Sequence, residues 1–498
     1  MNTSIEIEIS PIDEAVEAIL EKINDFFLKD VDDKFVSPEI ETEIAKLIDE
    51  LKEDLFCVIE YPYVDKVYRD SYYHYYSSKH YTYQRDCIRV SLFNGEISHD
   101  DFLNPERHSE LNNKFLGFFV LRPTINALFG RSMISPKAFE DNSYKISSCK
   151  TSCLVYGVKL DVEGFPHSSQ DGETIKCAET TIWALMEYFG NKYPEYKPAL
   201  PAKIHQALER FSYQRQLPSN GLTMDQISFA LKEFGFGTSV YASYAYKESL
   251  HEIIDSYVES GIPVIVGLQS GNIGHVIIAI GKHYVGEHDW TAIKESQLTL
   301  KGEDIGRIET SSIPAQYVVQ DDNLIPYRLI NLDQPGEHYE EEDCSNYEID
   351  SIVVPLYPKI YLEAVVAKEL VIQVLEDGNV GYDFGSDFVF RFYLTSSRSF
   401  KNHVAKIADM DIDLKNNILI TKMPKFIWCG EIYTQEDFDQ YDKKAIGLVV
   451  LDATEANQES IDALIFAGYP DRCVSMNENN FVILQHHFQN FRYFGNLK

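Results

Sequence analysis

Apolar residues recur at three- and four-residue spacing from Pro11 to Asp30, PIDEAVEAILEKINDFFLKD, where Val16, Ile19, Leu20, Ile23, Phe26 and Phe27 share one face of an expected helix. A second helical run, PEIETEIAKLIDELKEDLF, follows. The pattern then shortens to the strand-like CIRVSLF and FLGFFVLRP, and SCLVYGVKLDVEGFPHSSQDG holds two alternating runs that read as strands. Helical periodicity returns over residues 177–189, in TMDQISFALKEFGF and in SLHEIIDSYVESG; the short runs PVIVGL, HVIIAIG and QYVVQ after them read as strands. Helices followed by a strand-rich half is the order of an α+β domain. Beyond it, YLEAVVAKELVIQVLEDGNVGYDFG predicts a helix leading to the strands FVFRFYLT, ILITKM, KFIWCGEI and AIGLVVLDAT.

A chain of 498 residues exceeds what one hydrophobic core usually organises. The pattern divides it into an N-terminal α/β region at 1–145, an α+β domain at 146–365 and a C-terminal α/β region at 366–498. A content of 44% hydrophobic and 25% charged residues is that of a folded chain. The net charge of -33 repels phosphate backbones and anionic lipid, which disfavours generic nucleic-acid and membrane-surface binding. The opening MNTSIEIEISPIDEAVEAIL has no basic segment followed by an apolar one, and no window approaches the roughly 20 apolar residues of a membrane span. The expectation is a soluble cytoplasmic protein.

Three local features qualify this picture. Tyr68, Tyr72, Tyr73, Tyr75, Tyr76, Tyr81 and Tyr83 crowd one stretch; in so acidic a chain they suit packing or a protein-binding face better than base stacking. The acidic run EHYEEEDCSNYEID reads as a solvated loop. The eight cysteines are scattered, and Cys149 and Cys153 form a lone C-x-x-x-C without the second ligand pair that a structural zinc site needs. No metal, cofactor, dinucleotide fingerprint or Walker-type loop is expected.

Candidate chemistry concentrates in DGETIKCAETTIWALMEYFG. Cys177 precedes a helical pattern carried by Thr181, Ala184, Leu185 and Tyr188, widened by Trp183 and Met186, with Gly190 suited to the stop. A sulfur at a helix N-terminus meets unpaired N–H groups and the positive end of the dipole, which favour thiolate. A small buried residue is the alternative, since free cysteine is among the most buried types. A reactive thiolate also needs an acid/base partner, and His275 in GNIGHVIIAIG opens an alternating strand, with Gly271 and Gly274 keeping bulk from its ring. Asp321 in YVVQDDN, 46 residues further on, is placed to orient that ring, with Asp322 in reserve because a one-residue register shift reverses which side chain faces the site. Gln170 is a candidate amide donor to an oxyanion, beside the Cys177 backbone N–H.

In this order, a glutamine before a helix-opening cysteine, then GIPVIVGLQSGNIGHVIIAIG, then YVVQDDN, the chain resembles the papain-like cysteine peptidases and is most similar to their bacterial bacteriocin-processing branch. The resemblance covers roughly residues 146–365. It implies a helical lobe bearing Cys177, a small antiparallel sheet bearing His275 and Asp321, and hydrolysis of a peptide or isopeptide bond in the cleft between them. The sequence departs from the family at Ala178, where glycine is common, and at Gln170, seven residues before the cysteine where the spacing is usually one or two shorter. Two other outcomes stay open: a scaffold or sensor on the same fold, binding a protein partner through its flanking regions, and an acyltransferase in which another nucleophile replaces water.

Overall fold

The computed structural model describes residues 4–28, 38–80, 83–124, 128–211, 216–219, 221–247, 249–284, 288–293, 295–300, 303–456, 461–477 and 480–498. The fold is mixed α+β, built on three large sheets that are antiparallel except for one strand pair. Among the described residues no helix is long and apolar enough to cross a membrane.

The first sheet has seven strands, in the order Glu6–Pro11, Leu55–Tyr63, Cys87–Asn94, Phe115–Leu121, Ser132–Ile134, Val158–His167 and Cys149–Val155. Phe115–Leu121 is buried at every position, which is why its sequence runs apolar without alternation. The helices Ala15–Lys22 and Pro38–Asp49 belong to the same hydrophobic cluster. The strands Glu6–Pro11 and Leu55–Tyr63 escape the sequence pattern because each is attached to a stronger helical run. In the tyrosine-rich stretch, Tyr68 and Tyr76 are core residues and Tyr73 is exposed; Tyr81 lies outside the described residues.

The middle sheet runs in the order Arg328–Ile330, Ala315–Gln320, Ile273–Tyr284, Val264–Ser270, Glu348–Leu356 and Gly237–Ala242. The third has eight strands from Ser296–Leu300 to Asn480–Leu484, with Glu303–Glu309 parallel to Phe388–Ser396. Sheet membership crosses both borders placed on the sequence. The hairpin at 149–167 completes the first sheet, and the hairpin at 296–309 joins the third. Lys498 exchanges backbone hydrogen bonds with Ile146, at 2.9 and 3.0 Å.

The helix Cys177–Lys192 packs against the strands 149–155, 158–167 and 273–284 and against the helices Pro201–Glu209 and Met224–Glu233. Residues 178–189 are all buried, so this helix is covered on nearly every face rather than along one stripe. Its buried Glu187 is held by Lys66 at 2.8 Å and Arg131 at 3.2 Å, which tie it to the first sheet's region. Gly190 does not stop the helix, which continues to Lys192. A Cβ at position 190 would lie 2.4 Å from Pro198 Cδ, so the glycine is there for close packing. The run ILITKM is also not a strand: its first three residues finish the helix Ile412–Ile420, whose start is capped by the Asp411 carboxylate accepting from the N–H groups of Asp413 and Leu414.

Candidate active site

The loop before Cys177 is built around Asp171. One of its carboxylate oxygens accepts from the N–H groups of Glu173, Thr174 and Ile175 at 2.9, 2.6 and 2.9 Å, and the Thr174 hydroxyl donates to the other. Such an Asx-type clamp fixes the backbone without help from regular structure. His205 donates from Nε2 to the Thr174 carbonyl at 2.7 Å, and Lys79 pairs with Glu173. The loop is therefore braced by the helix Pro201–Glu209 and by the tyrosine-rich segment before it.

The chain enters the helix at Lys176, whose N–H donates to the Glu179 carboxylate at 3.2 Å. The Ser219 hydroxyl donates to the other Glu179 oxygen, and burial pushes this carboxyl up. The first helical hydrogen bond runs from Thr180 N–H to the Lys176 carbonyl, so the Cys177 N–H precedes the ladder and has no intrahelical partner. Cys177 is half-buried, with its side chain at the mouth of the helix as expected.

His275 lies near the start of its strand, paired with Leu268, and its ring is 5% exposed. Tyr347 stacks on the ring with centroids 6.1 Å apart, and Tyr339 meets it edge-on at 6.1 Å. Nε2 donates to Asp321 Oδ1 at 2.9 Å. That commits Nε2 to the acid and leaves Nδ1 as the ring nitrogen not bonded to it, with the Cys177 side chain among the groups that raise the pKa of the ring. Burial opposes the imidazolium, but the Asp321 charge and hydrogen bond, Cys177 and the Asp322 charge outweigh it and raise the His275 pKa well above its ordinary value. The nearby glycines have other work. Gly271, at φ +54, makes the two-residue hairpin turn before the strand, and Gly274 faces Gln269 on the side of the strand opposite His275.

Asp321 and Asp322 follow the strand Ala315–Gln320 and are both buried. Asp321 accepts from His275, from the Asn323 N–H at 3.0 Å and from the Tyr339 hydroxyl. Burial alone would raise its pKa; the His275 charge and the donated hydrogen bonds reverse that and hold it far below the usual carboxylate range. Asp322 Oδ1 is 3.8 Å from His275 Nε2, and neither of its oxygens has a hydrogen-bond partner. Burial, with the Asp321 charge beside it, pushes Asp322 up to about 7 against the pull of His275. Of the two aspartates, Asp321 is thus the one bonded to the ring. His275, Asp321 and Asp322 also place one potential metal-ligand atom each within 4.8 Å of one another.

Gln170 is not free to serve as expected. Its Nε2 donates to Asn323 Oδ1 at 2.6 Å, which ties it to the turn after the acid. The acidic run 337–350 likewise differs from a solvated loop: its glutamates are exposed, but His338, Tyr339 and Tyr347 turn inward onto Asp321 and His275. Two tyrosines and a histidine set among the acids were the signal for this. All eight cysteines are unpaired thiols, and burial pushes Cys149 and Cys153 up to about 12 and about 11. No protein-family model matches the chain, and no curated protein matches its sequence.

Proposed function

We propose that the chain is a thiol-dependent acyl-transfer enzyme, a cysteine peptidase or isopeptidase of the papain-like type. One observation carries this reading: a half-buried cysteine at the start of a buried helix faces an imidazole whose far nitrogen is bonded at 2.9 Å to a buried aspartate. The helix that opens at Cys177 packs against the strand that carries His275, which supports this reading.

In the proposed reaction the Cys177 thiolate attacks the carbonyl carbon, and the developing oxyanion is received by the unpaired Cys177 N–H. His275 delivers its Nδ1 proton to the leaving amine, giving a thioester and a free amine. Water, or an acceptor amine in a transferase, then attacks the thioester, His275 takes the attacker's proton, and the thiolate is regenerated. Asp321 keeps the ring in the required orientation and stabilises its positive charge throughout. The Gln170 amide contributes to the oxyanion only after exchanging its bond to Asn323 for one to the substrate.

A p-nitrophenyl ester serves as a simple acyl donor. The expected result is release of p-nitrophenol with one acyl group on Cys177 by peptide mapping, lost in Cys177→Ala and slowed on the order of 10³-fold or more in His275→Ala. Acylation spread over lysines, or unaffected by His275→Ala, contradicts the proposal and leaves the fold as a binding scaffold.

A further inference from the structure

The aspartate bonded to His275 sits in a stretch with little regular structure of its own. The strands Ala315–Gln320 and Arg328–Ile330 pair from Tyr317 with Ile330 to Val319 with Arg328, and their ladder stops there. Gln320 is still paired with Ile278, but residues 321–327 have no strand partner, so outside contacts must place them. Two buried side chains at the ends of this stretch reach the first sheet. At one end Gln320 Oε1 accepts from His167 Nδ1 at 2.9 Å. Burial pushes the His167 pKa down to about 4, so the ring is neutral and the bond is not an ion pair. At the other end the Tyr327 hydroxyl accepts from the Phe165 N–H at 2.9 Å and donates to the Ile134 carbonyl at 2.5 Å. Ile134 and Phe165 are paired residues on neighbouring strands of the first sheet, so the hydroxyl stands inside its ladder. Gly164 leaves room for it: a Cβ there would lie 3.0 Å from the Tyr327 hydroxyl and 2.4 Å from the Ile134 carbonyl oxygen. Tyr327 itself holds φ at +66°, a left-handed conformation that is uncommon for a bulky residue and persists only where its surroundings fix it. The strand that supplies Phe165 and His167 runs on into the Asp171 loop and Cys177, so one strand braces both ends of the acid's stretch and leads to the thiol.

We propose that Tyr327 and His167 are positioning residues for the His275–Asp321 pair, through which the first sheet holds the aspartate against the imidazole. The two hydrogen bonds of the Tyr327 hydroxyl offset the strain in its backbone. Without them the stretch relaxes, Asp321 withdraws from His275 Nε2, and the support of the imidazolium weakens. The effect on turnover rests on the proposed role of Cys177; the effect on His275 does not.

The test is an NMR titration of His275 in full-length Cys177→Ser protein carrying ¹³C-labelled histidine, with the signal assigned by His275→Ala. Tyr327→Phe and His167→Ala are then added singly. Cys177→Ser is expected to titrate above the ordinary imidazole value of about 6.5, and each added substitution to lower that midpoint by about 1 pH unit. Arg391→Ala, which strips the buried partner from Glu259 and Glu431, is the control for lost stability and should leave the midpoint in place. Melting curves show that each variant folds, and one that does not is replaced by Tyr327→His or His167→Gln. A midpoint unmoved by both substitutions makes the two residues merely structural and overturns the proposal, as does an equal fall in Arg391→Ala. An ordinary His275 midpoint in Cys177→Ser overturns it too, since no pair is then held. A raised His275 beside an ordinary thiol at wild-type Cys177 overturns the enzymatic reading and leaves the positioning standing.

Discussion

The strand Ile273–Tyr284 carries two buried clusters of charge, and they are built on opposite principles. Near its far end Lys282 pairs with Asp255, which also accepts from the Tyr317 hydroxyl at 2.7 Å. Next to them Arg391 donates to Glu259 at 2.9 and 2.8 Å and to Glu431 at 2.9 Å, while Tyr284, Tyr393 and Tyr433 donate to the same carboxylates. No side-chain nitrogen or oxygen of these residues is buried without a partner. The cluster fastens the helix Leu250–Glu259 and the His275 strand to the third sheet. At the near end, by contrast, His275 and Asp321 are satisfied while Asp322 and His338 are not. A network that satisfies every group locks elements together; one that buries unpartnered groups holds free energy in reserve for a proton, a substrate or an ion.

Substitutions sharpen this contrast. The largest effect is expected at the near end, where Asp321→Asn should lower turnover of the ester probe on the order of 10⁴-fold, because the ring loses its orienting acceptor and the charge that supports the imidazolium. At the far end Arg391→Ala should leave Glu259 and Glu431 uncompensated and cost about 3–5 kcal/mol of stability in urea unfolding. A wild-type-like midpoint for that variant would remove the distinction between the two clusters.

Acid should separate them as well. Burial opposes ionisation of Glu259, but the charges of Arg391 and Lys282 and the hydrogen bonds pull it down to about 2. Its folded pKa lies below its unfolded value of about 4.3, so its stabilisation is complete above that value. The contribution is lost as pH falls from there through about 2. Urea midpoints measured across that window should fall for the wild type and fall less for Glu259→Gln. The smallest effect is expected at Asp322→Asn, which removes a buried carboxylate without a hydrogen bond and should change stability by about 1 kcal/mol or less, towards greater stability. A loss of several kcal/mol there would make Asp322 a structural residue.

What could be read from the sequence follows the range of the interactions involved. Cys177 at a helix start, His275 in an alternating strand and an acid at a strand end are local patterns, and all three stand where the pattern puts them. The choice between Asp321 and Asp322 required the turn in which the Asn323 N–H and the Tyr339 hydroxyl reach the first aspartate. His338, Tyr339 and Tyr347 were hidden because the loop bearing them returns over His275 only when Glu348–Leu356 pairs with Val264–Ser270. The region borders were hidden for the same reason, since nothing inside residues 149–167 or 296–309 says which sheet will accept each hairpin. In ILITKM an apolar run of six residues fits strand and helix alike, and the cap at Asp411, outside the run, decides it.

The most direct measurement is the rate of Cys177 alkylation by iodoacetamide from pH 5 to 9 in metal-free protein, for the wild type and for His275→Ala. An ordinary thiol slows about tenfold per pH unit below its pKa of about 8.5. A Cys177 thiolate paired with the His275 imidazolium gives a nearly flat rate for the wild type between about pH 8 and 6, and its loss in His275→Ala gives the ordinary tenfold-per-unit decline. The same steep decline in both proteins would contradict it.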